Sequence, residues 1–328
     1  MASNMKFLLM GYSGYAQIEG VDVHLTSYSL SLNENIIESG GIGRVYCKGY
    51  FNRWKLDAVR DYPSYELSLS CEANPYILEK ALYMIQSKFH SSNAIKFYDN
   101  ATKISYEFED ANLNSIEISV SLDAVATINF GFTIFKNSIE VNYCKDGYDL
   151  HAKRNAPKSL LWDCLMPYWA WGVSYTDPDE NDKRSLIFDS GLCEFSFSYQ
   201  QSVTPKYGCR AGSTENAMPP MAIVFGMPDV TWNLTYMMVD DISIDDSGIP
   251  SNEIALCGKQ LEFQYRKWTC LNDEASSWKT DEFHVYFDDV YPTSYSPSVA
   301  NAGDANRMSV SGTVFGIMSY TCEIDKKQ

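Results

Sequence analysis

The residues that could carry catalysis or bind a metal are few in this sequence, and they are not spaced for either task. The four histidines stand far apart and form neither HExxH nor H-x-x-x-H: His24, His90, His151 and His284. Metal sites use such spacings because two imidazoles must reach one ion. GxSxG, Walker and GxGxxG patterns are missing too, and SGGIGR at 39–44 lacks the lysine of a phosphate-binding loop. We therefore expect no metal and no other cofactor.

Two pairs of neighbouring acids are the remaining candidates for acid–base chemistry. The pair Glu109–Asp110 follows YEF and the pair Asp288–Asp289 follows VYF, so the same arrangement occurs twice. Paired carboxylates act as acid and base in glycosidases. An enzyme rarely needs the same pair twice, so we expect a structural role at strand ends and no enzymatic activity. The run DDISIDD at 240–246 lacks EF-hand spacing and indicates a solvated turn.

Charge and hydropathy exclude further classes of protein. The 328-residue chain carries a formal charge of −16, whereas proteins that bind nucleic acid by neutralising phosphates need a basic surface. The apolar run Phe7–Met10 is shorter than the hydrophobic part of a signal peptide. No stretch approaches the ~20 apolar residues of a membrane span. We expect a soluble protein made in the cytoplasm.

The cysteines are odd in number and scattered, and no two of them form C-x-x-C. The nine are Cys47, Cys71, Cys144, Cys164, Cys193, Cys209, Cys257, Cys270 and Cys322. Zinc and redox sites require closer spacing. A chain of this length does not depend on disulfides for a core, so we interpret the cysteines as buried reduced thiols.

Alternation of apolar and polar residues is the dominant local pattern and predicts a mainly β fold. It is clearest in SYSLSL (27–32), YELSLSCE (65–72), SIEISVSLD (115–123), EFSFSY (194–199) and TWNLTY (231–236). One helix is predicted at 74–89, with Asn74 as its cap and Pro75 in its first turn. Turn-rich segments are expected at 33–62, 204–222 and 291–307.

Several stretches occur twice in the same order along the chain. The matched pairs are LMGYSGYAQI (9–18) with LMPYWAWGVS (165–174), SYSLSL (27–32) with EFSFSY (194–199), YEFEDA (106–111) with VYFDDV (285–290), and SVS (119–121) with SVS (309–311). Four landmarks in one order favour internal duplication over the general likeness of β-rich stretches. We predict two strand-rich domains, residues 1–150 and 151–328, each with at most one helix.

The polar sides of the alternating strands are rich in serine and contain neither Lys nor Arg. The acids among them are Glu66, Glu72, Glu117, Asp123 and Glu194. Exposed strands commonly carry lysine, which discourages wrong edge pairing. A face without cations would not retain the phosphates of a polyanion moving past it. An ordinary serine-rich sandwich face is the alternative interpretation.

Two segments resemble the tail tube proteins of long-tailed bacteriophages. LLMGYSGYAQIEGVDVHLTSYSLSLNEN (8–35) is similar to their opening, where an aromatic and glycine stretch leads into the first strand. YEFEDANLNSIEISVSLDAVATINFGF (106–132) is similar to their closing strands, and the helix at 74–89 also fits. The second half departs most, over 236–282. The resemblance implies two tandem tail-tube-like β-sandwich or barrel domains, related to the type VI secretion tube protein.

The resemblance also implies a structural function in the virion tail. Single-domain tube proteins form hexameric rings, so a two-domain chain is expected to form trimeric, pseudo-hexameric rings that stack into a tube and conduct DNA during ejection. Expected partners are further copies of the chain and tape-measure, terminator, baseplate and sheath proteins, met during assembly in the host cytoplasm. The expected lumen-facing residues are Glu66, Ser68, Ser70, Glu117, Ser119, Ser121, Glu194, Ser196 and Ser198.

The segment 33–62 is the expected ring-stacking element, because it combines charges with apolar anchors. Its candidate residues are Arg44, Phe51, Arg53, Trp54 and Arg60. A hairpin within its own domain is an equally compatible interpretation. Two other functions stay open: a tube initiator, terminator or baseplate hub, and a two-domain carbohydrate-binding protein with a platform formed by Trp162, Trp169 or Trp171.

Overall fold

The computed structural model describes residues 14–33, 36–38, 58–60, 63–86, 93–99, 104–121, 124–135, 140–143, 171–176, 183–185, 192–206, 219–237, 259–270, 278–298, 306–316 and 318–323. Within these ranges the chain is almost entirely β, with one helix, which confirms the predicted fold class. The strands of the first half are β1 Gly14–Ile18, β2 Val21–Asn33, β3 Ile36–Glu38, β4 Ala58–Arg60, β5 Ser64–Glu72, β6 Asn93–Asp99, β7 Ile104–Ser121, β8 Thr127–Ile134 and β9 Glu140–Tyr143. The helix, α1, is Pro75–Gln86.

Ten further strands occupy the described part of the second half. They are β10 Trp171–Thr176, β11 Lys183–Ser185, β12 Leu192–Gln200, β13 Val203–Lys206, β14 Ala222–Phe225, β15 Asp229–Met237, β16 Lys259–Cys270, β17 Trp278–Ser298, β18 Arg307–Val314 and β19 Met318–Glu323. The expectation of turns from residue 291 onward is wrong, because β17 continues to Ser298. β17 contains Pro292 and Pro297, which a strand at the edge of a sheet tolerates.

Six strands of the first half close into a ring by antiparallel pairing. Their order is β7, β6, β1, β2, β5 and β8, and β8 pairs back onto β7. The 18-residue β7 closes the ring because its first part pairs with β6 and its second part with β8. The β1–β2 connection consists of Glu19 and Gly20, whose φ angles of 50° and 80° suit a two-residue hairpin.

The second half forms a sheet that is continuous with the first. Its order is β12, β15, β18, β17, β16, β10 and β11, with β19 also on β17. The halves join where β12 pairs with the second part of β7, and we call this pairing the β7–β12 junction. The joined strands make one 15-stranded sheet in the described chain.

The two halves use the same pairing scheme. Five strand pairs of the first half have counterparts in the second: β2–β5 corresponds to β12–β15, β5–β8 to β15–β18, and β8–β7 to β18–β17. Likewise, β7–β6 corresponds to β17–β16 and β7–β9 to β17–β19. Irregularities in register also match. One lies between Leu113 and Ser115 of β7, and its counterpart lies between Pro292 and Ser294 of β17. A second pair of irregularities follows residue 25 of β2 and residue 192 of β12.

The repeated sequence stretches differ in how they sit in this scheme. SYSLSL and EFSFSY hold matching places, with Leu30 opposite Leu67 and Phe197 opposite Trp232. The match of 9–18 with 165–174 is displaced by one residue, since Ala16 holds the place of Val173. The match between the two SVS stretches is wrong: 119–121 belongs to β7, whereas 309–311 belongs to β18, the counterpart of β8.

The two acid pairs lie at bulges inside long strands rather than at strand ends. Phe108 is opposite Ile95 and Ala111 is opposite Asn93, so Glu109–Asp110 are two residues against one. Asp288–Asp289 form the corresponding bulge of β17, and Asp289 has a φ of 56°. A left-handed residue of this kind is found most often as Gly, Asn or Asp. The acids therefore lie at a bulge in both halves, and at Asp289 the left-handed backbone itself favours this residue type.

The helix begins as predicted. Asn74 Oδ1 accepts a hydrogen bond of 3.0 Å from the Ile77 N–H, which satisfies one of the open donors of the first turn. One side of α1 is buried in the core through Ile77, Leu78, Ala81 and Leu82. The predicted residues 87–89 lie outside the described chain.

The described cysteines agree with the interpretation as reduced thiols. Cys71 and Cys193 are buried and Cys322 is partly buried, and these three described cysteines form no disulfide with one another. Burial, with the Glu72 carboxylate as a smaller cause, raises the pKa of the Cys71 thiol. The Cys71 thiol also donates to the Ile128 carbonyl at 3.4 Å, so it behaves as a core group.

Large and small core residues are exchanged between the two halves at one matching place. Leu67 is opposite Phe132 in the first half, and Trp232 is opposite Gly312 in the second. A Cβ on Gly312 would overlap the Trp232 ring and the Tyr291 carbonyl. The buried Trp232 indole therefore fits only because Gly312 has no side chain. The larger residue on one strand is balanced by the smaller one on the next, so the core stays close-packed.

We expect Gly312→Ala to destabilise the protein by about 1–3 kcal/mol, because the added methyl cannot be accommodated without moving backbone or the indole. Urea unfolding of the variant against the wild type measures the difference. Ser319→Ala, at an exposed position of β19, is the control and should change stability by less than ~0.5 kcal/mol. Equal stability of Gly312→Ala and wild type would contradict this packing.

Candidate functional site

Eight adjacent strands present one continuous polar face. Their order is β2, β5, β8, β7, β12, β15, β18 and β17. The opposite side of the same strands is buried in the core through Leu67, Phe130, Ile118, Phe197, Leu234 and Val310. Because successive side chains of a strand point to opposite sides, the residues between these form the polar face.

All nine predicted residues lie on the polar face, and six of them meet directly. Across the β7–β12 junction, Glu117 is opposite Ser198, Ser119 opposite Ser196, and Ser121 opposite Glu194. Glu66, Ser68 and Ser70 of β5 are separated from β7 by the single strand β8. Ser68 and Glu117 are exposed and the other seven are partly buried.

β8 and the end of β17 contribute further polar residues that were not predicted from the sequence. Asn129 and Thr133 alternate with buried residues along β8. Ser294, Ser296 and Ser298 alternate along β17, where the nearby prolines obscured the strand. Both sets carry the period-two signal, so alternation counted through glycine and proline would have found them.

Glu66 is held in the plane of the sheet by its neighbours. Thr133 Oγ1 donates to its two carboxylate oxygens at 3.2 and 3.0 Å, and Asn114 Nδ2 donates at 3.2 Å. Burial raises the pKa of Glu66, and these two hydrogen bonds partly oppose the rise. The folded protein therefore carries this charge at some cost.

Glu117 borders a shallow hollow of about 350 Å³ on the second-half side of the junction. Ser196, Ser198, Thr231 and Asn233 line the hollow with hydroxyl and amide groups, and Glu117 is the one charged residue among the described side chains that line it. Asn129 Nδ2 donates to Glu117 Oε2 at 3.2 Å. The hollow therefore offers a neutral to acidic surface.

One cation does reach the rim of the polar face. Arg307 Nη1 lies 3.3 Å from Glu194 Oε1, and both side chains are about half exposed. The alternating strands identified in the sequence have no Lys or Arg on their polar sides. Arg307 was not among them, because it is the first residue of β18. Because Glu194 pairs with it, the local charge is compensated.

Most ring-stacking candidates lie outside the described residues. These are Arg44, Phe51, Arg53 and Trp54. Arg60 ends β4, whose backbone pairs with β3 so that Ile36 is opposite Arg60. Of the tryptophans considered for a sugar platform, Trp162 and Trp169 lie outside the described chain, and Trp171 begins β10.

A hairpin of β13 and β14 stands between β12 and β15, at the place that β3 and β4 hold between β2 and β5. It exposes Met221 by 72% and Met227 by 95%, and Val224 is exposed between them. Isolated apolar side chains are common on surfaces, whereas several on one hairpin indicate a contact surface.

The described residues contain neither a membrane-spanning helix nor a metal-binding cluster. The one described helix, α1, is too short to cross a membrane. In the described ranges, no group of three or more His, Cys, Asp and Glu residues is placed to hold a metal ion.

No protein-family model and no curated protein sequence matches the chain. Two solved structures are similar to about half of it. One is the hybrid NMR and cryo-EM structure of the SPP1 tail tube, with 15% identity and a TM-score of 0.24 over 48% of this chain and 78% of the other. The other is the crystal structure of Hcp protein, with 10% identity and a TM-score of 0.21 over 46% of this chain and 98% of the other.

We expect Glu66→Gln to gain stability relative to the wild type as the pH rises from about 4 to 7. The folded-state pKa of Glu66 is raised above its usual 4.5, so the wild type loses stability as this carboxyl ionises, whereas Gln stays neutral. Thermal unfolding across this pH range measures the difference. Ser68→Ala, on the same strand, should differ from wild type by a constant amount, and a constant difference for Glu66→Gln would contradict the assignment.

Proposed function

We propose that this protein is the structural subunit of a bacteriophage tail tube, assembling as stacked rings around a lumen that conducts DNA during ejection. The observation that carries the proposal is the continuous polar face across eight strands, which is rich in hydroxyls and has one compensated cation among the described residues. A channel surface of this kind would not retain phosphates. The protein would then have no catalytic function and would need no cofactor.

We propose further that residues 1–150 and 151–328 are two copies of one tube domain. The support is the matching pairing scheme, including bulges at matching places in β7 and β17. Bulges are specific features of a fold and rarely coincide between unrelated sheets. Three such chains would supply six equivalent domains, which gives a trimeric ring with pseudo-sixfold symmetry.

In this proposal the nine predicted residues face the lumen. Glu66, Glu117 and Glu194 provide negative charge, and the serines between them provide short neutral side chains. Negative groups repel the DNA phosphates and neutral groups do not attract them, whereas lysine side chains would bind the phosphates and slow the movement of DNA. The half-buried position of most of the nine keeps their side chains close to the sheet.

Contacts between rings would come from the two connections that leave the sheet. One is 33–62, which contains the β3–β4 ladder and the candidates Arg44, Phe51, Arg53, Trp54 and Arg60. The other is the β13–β14 hairpin with its exposed methionines. Apolar anchors surrounded by charges are typical of interfaces that assemble and stay soluble before assembly.

The proposed tube places the chain in the virion tail, after assembly in the host cytoplasm. Its main partner is a further copy of itself. Tape-measure, terminator, baseplate and sheath proteins would contact the lumen, the two ends and the outside of such a tube, and DNA would pass without specific binding.

We expect the purified protein at high concentration to form stacked rings or tubes with threefold or pseudo-sixfold end views in negative-stain electron microscopy. A tube subunit stacks on itself, whereas an initiator, terminator or hub stops after one ring. Single rings that never stack would therefore assign the chain to one of these other tail components. Particles that stay monomeric at every concentration and salt would overturn a tube-forming function.

We expect phage with Glu66→Lys and Glu117→Lys to assemble tails and yet deliver DNA poorly, because new cations in the lumen would bind phosphates. Tail morphology and the number of infected cells per particle measure the two effects separately. The matched control is Glu79→Lys with Glu109→Lys, the same charge change on α1 and in the β7 bulge. Equal infectivity of the two double variants would contradict the lumen assignment.

A further inference from the structure

Two strand edges border the polar face at its opposite ends. At one end, β5 borders β2 along residues 27–33, and β1 borders only residues 21–25 on the other side. At the other end, β18 borders β17 along 290–298, whereas β16 and β19 border its earlier residues. Among the described strands, none pairs with these two edge segments, and edges of this kind can accept a further strand.

The β7–β12 junction inside the chain shows how two such edges fit together. Because the two halves share one pairing scheme, the end of β2 corresponds to β12, with Ser31 equivalent to Ser198. The end of β17 corresponds to the second part of β7, with Ser296 equivalent to Glu117. Within the junction, Glu117 is opposite Ser198 and Ser119 is opposite Ser196. Transferring this register places Ser31 opposite Ser296, Ser29 opposite Ser298 and Asn33 opposite Ser294.

Side-chain burial agrees with a missing neighbour at β2. Tyr199, on the core side of β12, is 2% exposed, because Ile116 lies opposite it across the junction. Leu32 holds the place of Tyr199 in β2 and is 48% exposed. In the transferred register, Tyr295 of a second chain would lie opposite Leu32 and cover it, as Ile116 covers Tyr199.

We infer that the end of β2 in one chain pairs antiparallel with residues 294–298 of β17 in a second copy, in the register of the β7–β12 junction. The inference rests on the proposed function and specifies the contact within its rings. The polar face then continues from chain to chain without a break. The contact between chains is all hydroxyl and amide on this face, whereas the junction within a chain carries Glu117 and Glu194.

Proline makes the contact between chains weaker and more selective than the junction within a chain. The Gln201 N–H donates to the Asn114 carbonyl at 2.8 Å, and alternation along the ladder directs the N–H and C=O of Ile118 toward β12 as well. Pro297 is the counterpart of Ile118. Because proline has no backbone N–H, the edge of β17 lacks a donor at this position. The proposed pairing of Pro297 with Leu30 of a second chain therefore lacks one hydrogen bond. The same missing donor makes the edge less able to pair with unrelated strands.

Disulfide trapping tests the register in the full chain. Ser31→Cys with Ser296→Cys should form disulfide-linked multimers on mild oxidation, since directly opposite residues meet the Cα spacing of a disulfide. The two positions lie on β2 and β17, which are separated by six strands, or roughly 34 Å measured along the sheet at ~4.8 Å per strand, so we expect a bond between them to join two chains. Asn33→Cys with Ser298→Cys is the matched control, because it is four residues, or about 13 Å, out of register.

We expect at least tenfold more covalent multimer from the matched pair than from the control pair or from either single variant, measured on non-reducing gels. The single variants correct for the native cysteines. Rings or tubes seen by microscopy without this preference would overturn the register and leave the tube function in place. A wild-type chain that stays monomeric throughout would overturn the register and the tube function together.

Discussion

The hydrogen-bonded ladder between β7 and β12 is the interaction on which the rest of the structure depends. It supplies the second neighbour that each strand needs for its backbone groups, and it turns two sheets into one. Buried Gln201 extends it past the last paired residues, since its backbone N–H donates to the Asn114 carbonyl and its Nε2 to the Leu113 carbonyl, both at 2.8 Å. The Tyr199 hydroxyl donates to Gln201 Oε1 at 2.9 Å, so both the nitrogen and the oxygen of the side-chain amide are hydrogen-bonded.

The junction exists because one strand can serve two groups of neighbours. β7 pairs with β6 and β9 along its first part and with β8 and β12 along its second. The Glu109–Asp110 bulge, between these parts, adds a residue and turns the strand, as bulges do elsewhere. β17 repeats the arrangement with Asp288–Asp289, but its second part has β18 on one side only among the described strands. That difference between the halves is what leaves an edge for a further copy.

The two sides of the eight strands are stabilised differently, by apolar packing on the core side and by hydrogen bonds on the polar side. The core side is held by aromatic contacts between strands, such as Phe195 stacked on Phe263 at 5.3 Å and Phe197 edge-on to Phe287 at 5.0 Å in the second half. The polar side satisfies its own groups locally, for example Thr235 with Ser309 at 3.2 Å. Hydroxyls that bond to each other across strands leave few groups directed outward.

Local features can be derived from the amino-acid sequence alone: the strands, the polar face of each, and the helix start at Asn74. These depend on side-chain periodicity and on bonds between near neighbours, which a sequence displays directly. Four features emerge only from the folded chain: β7 and β12 are adjacent, the acids occupy bulges, the two SVS stretches are not equivalent, and β17 continues through Pro292 to Ser298. Register and strand order arise from contacts between residues far apart in the chain, and alternation is the same for every partner a strand could take.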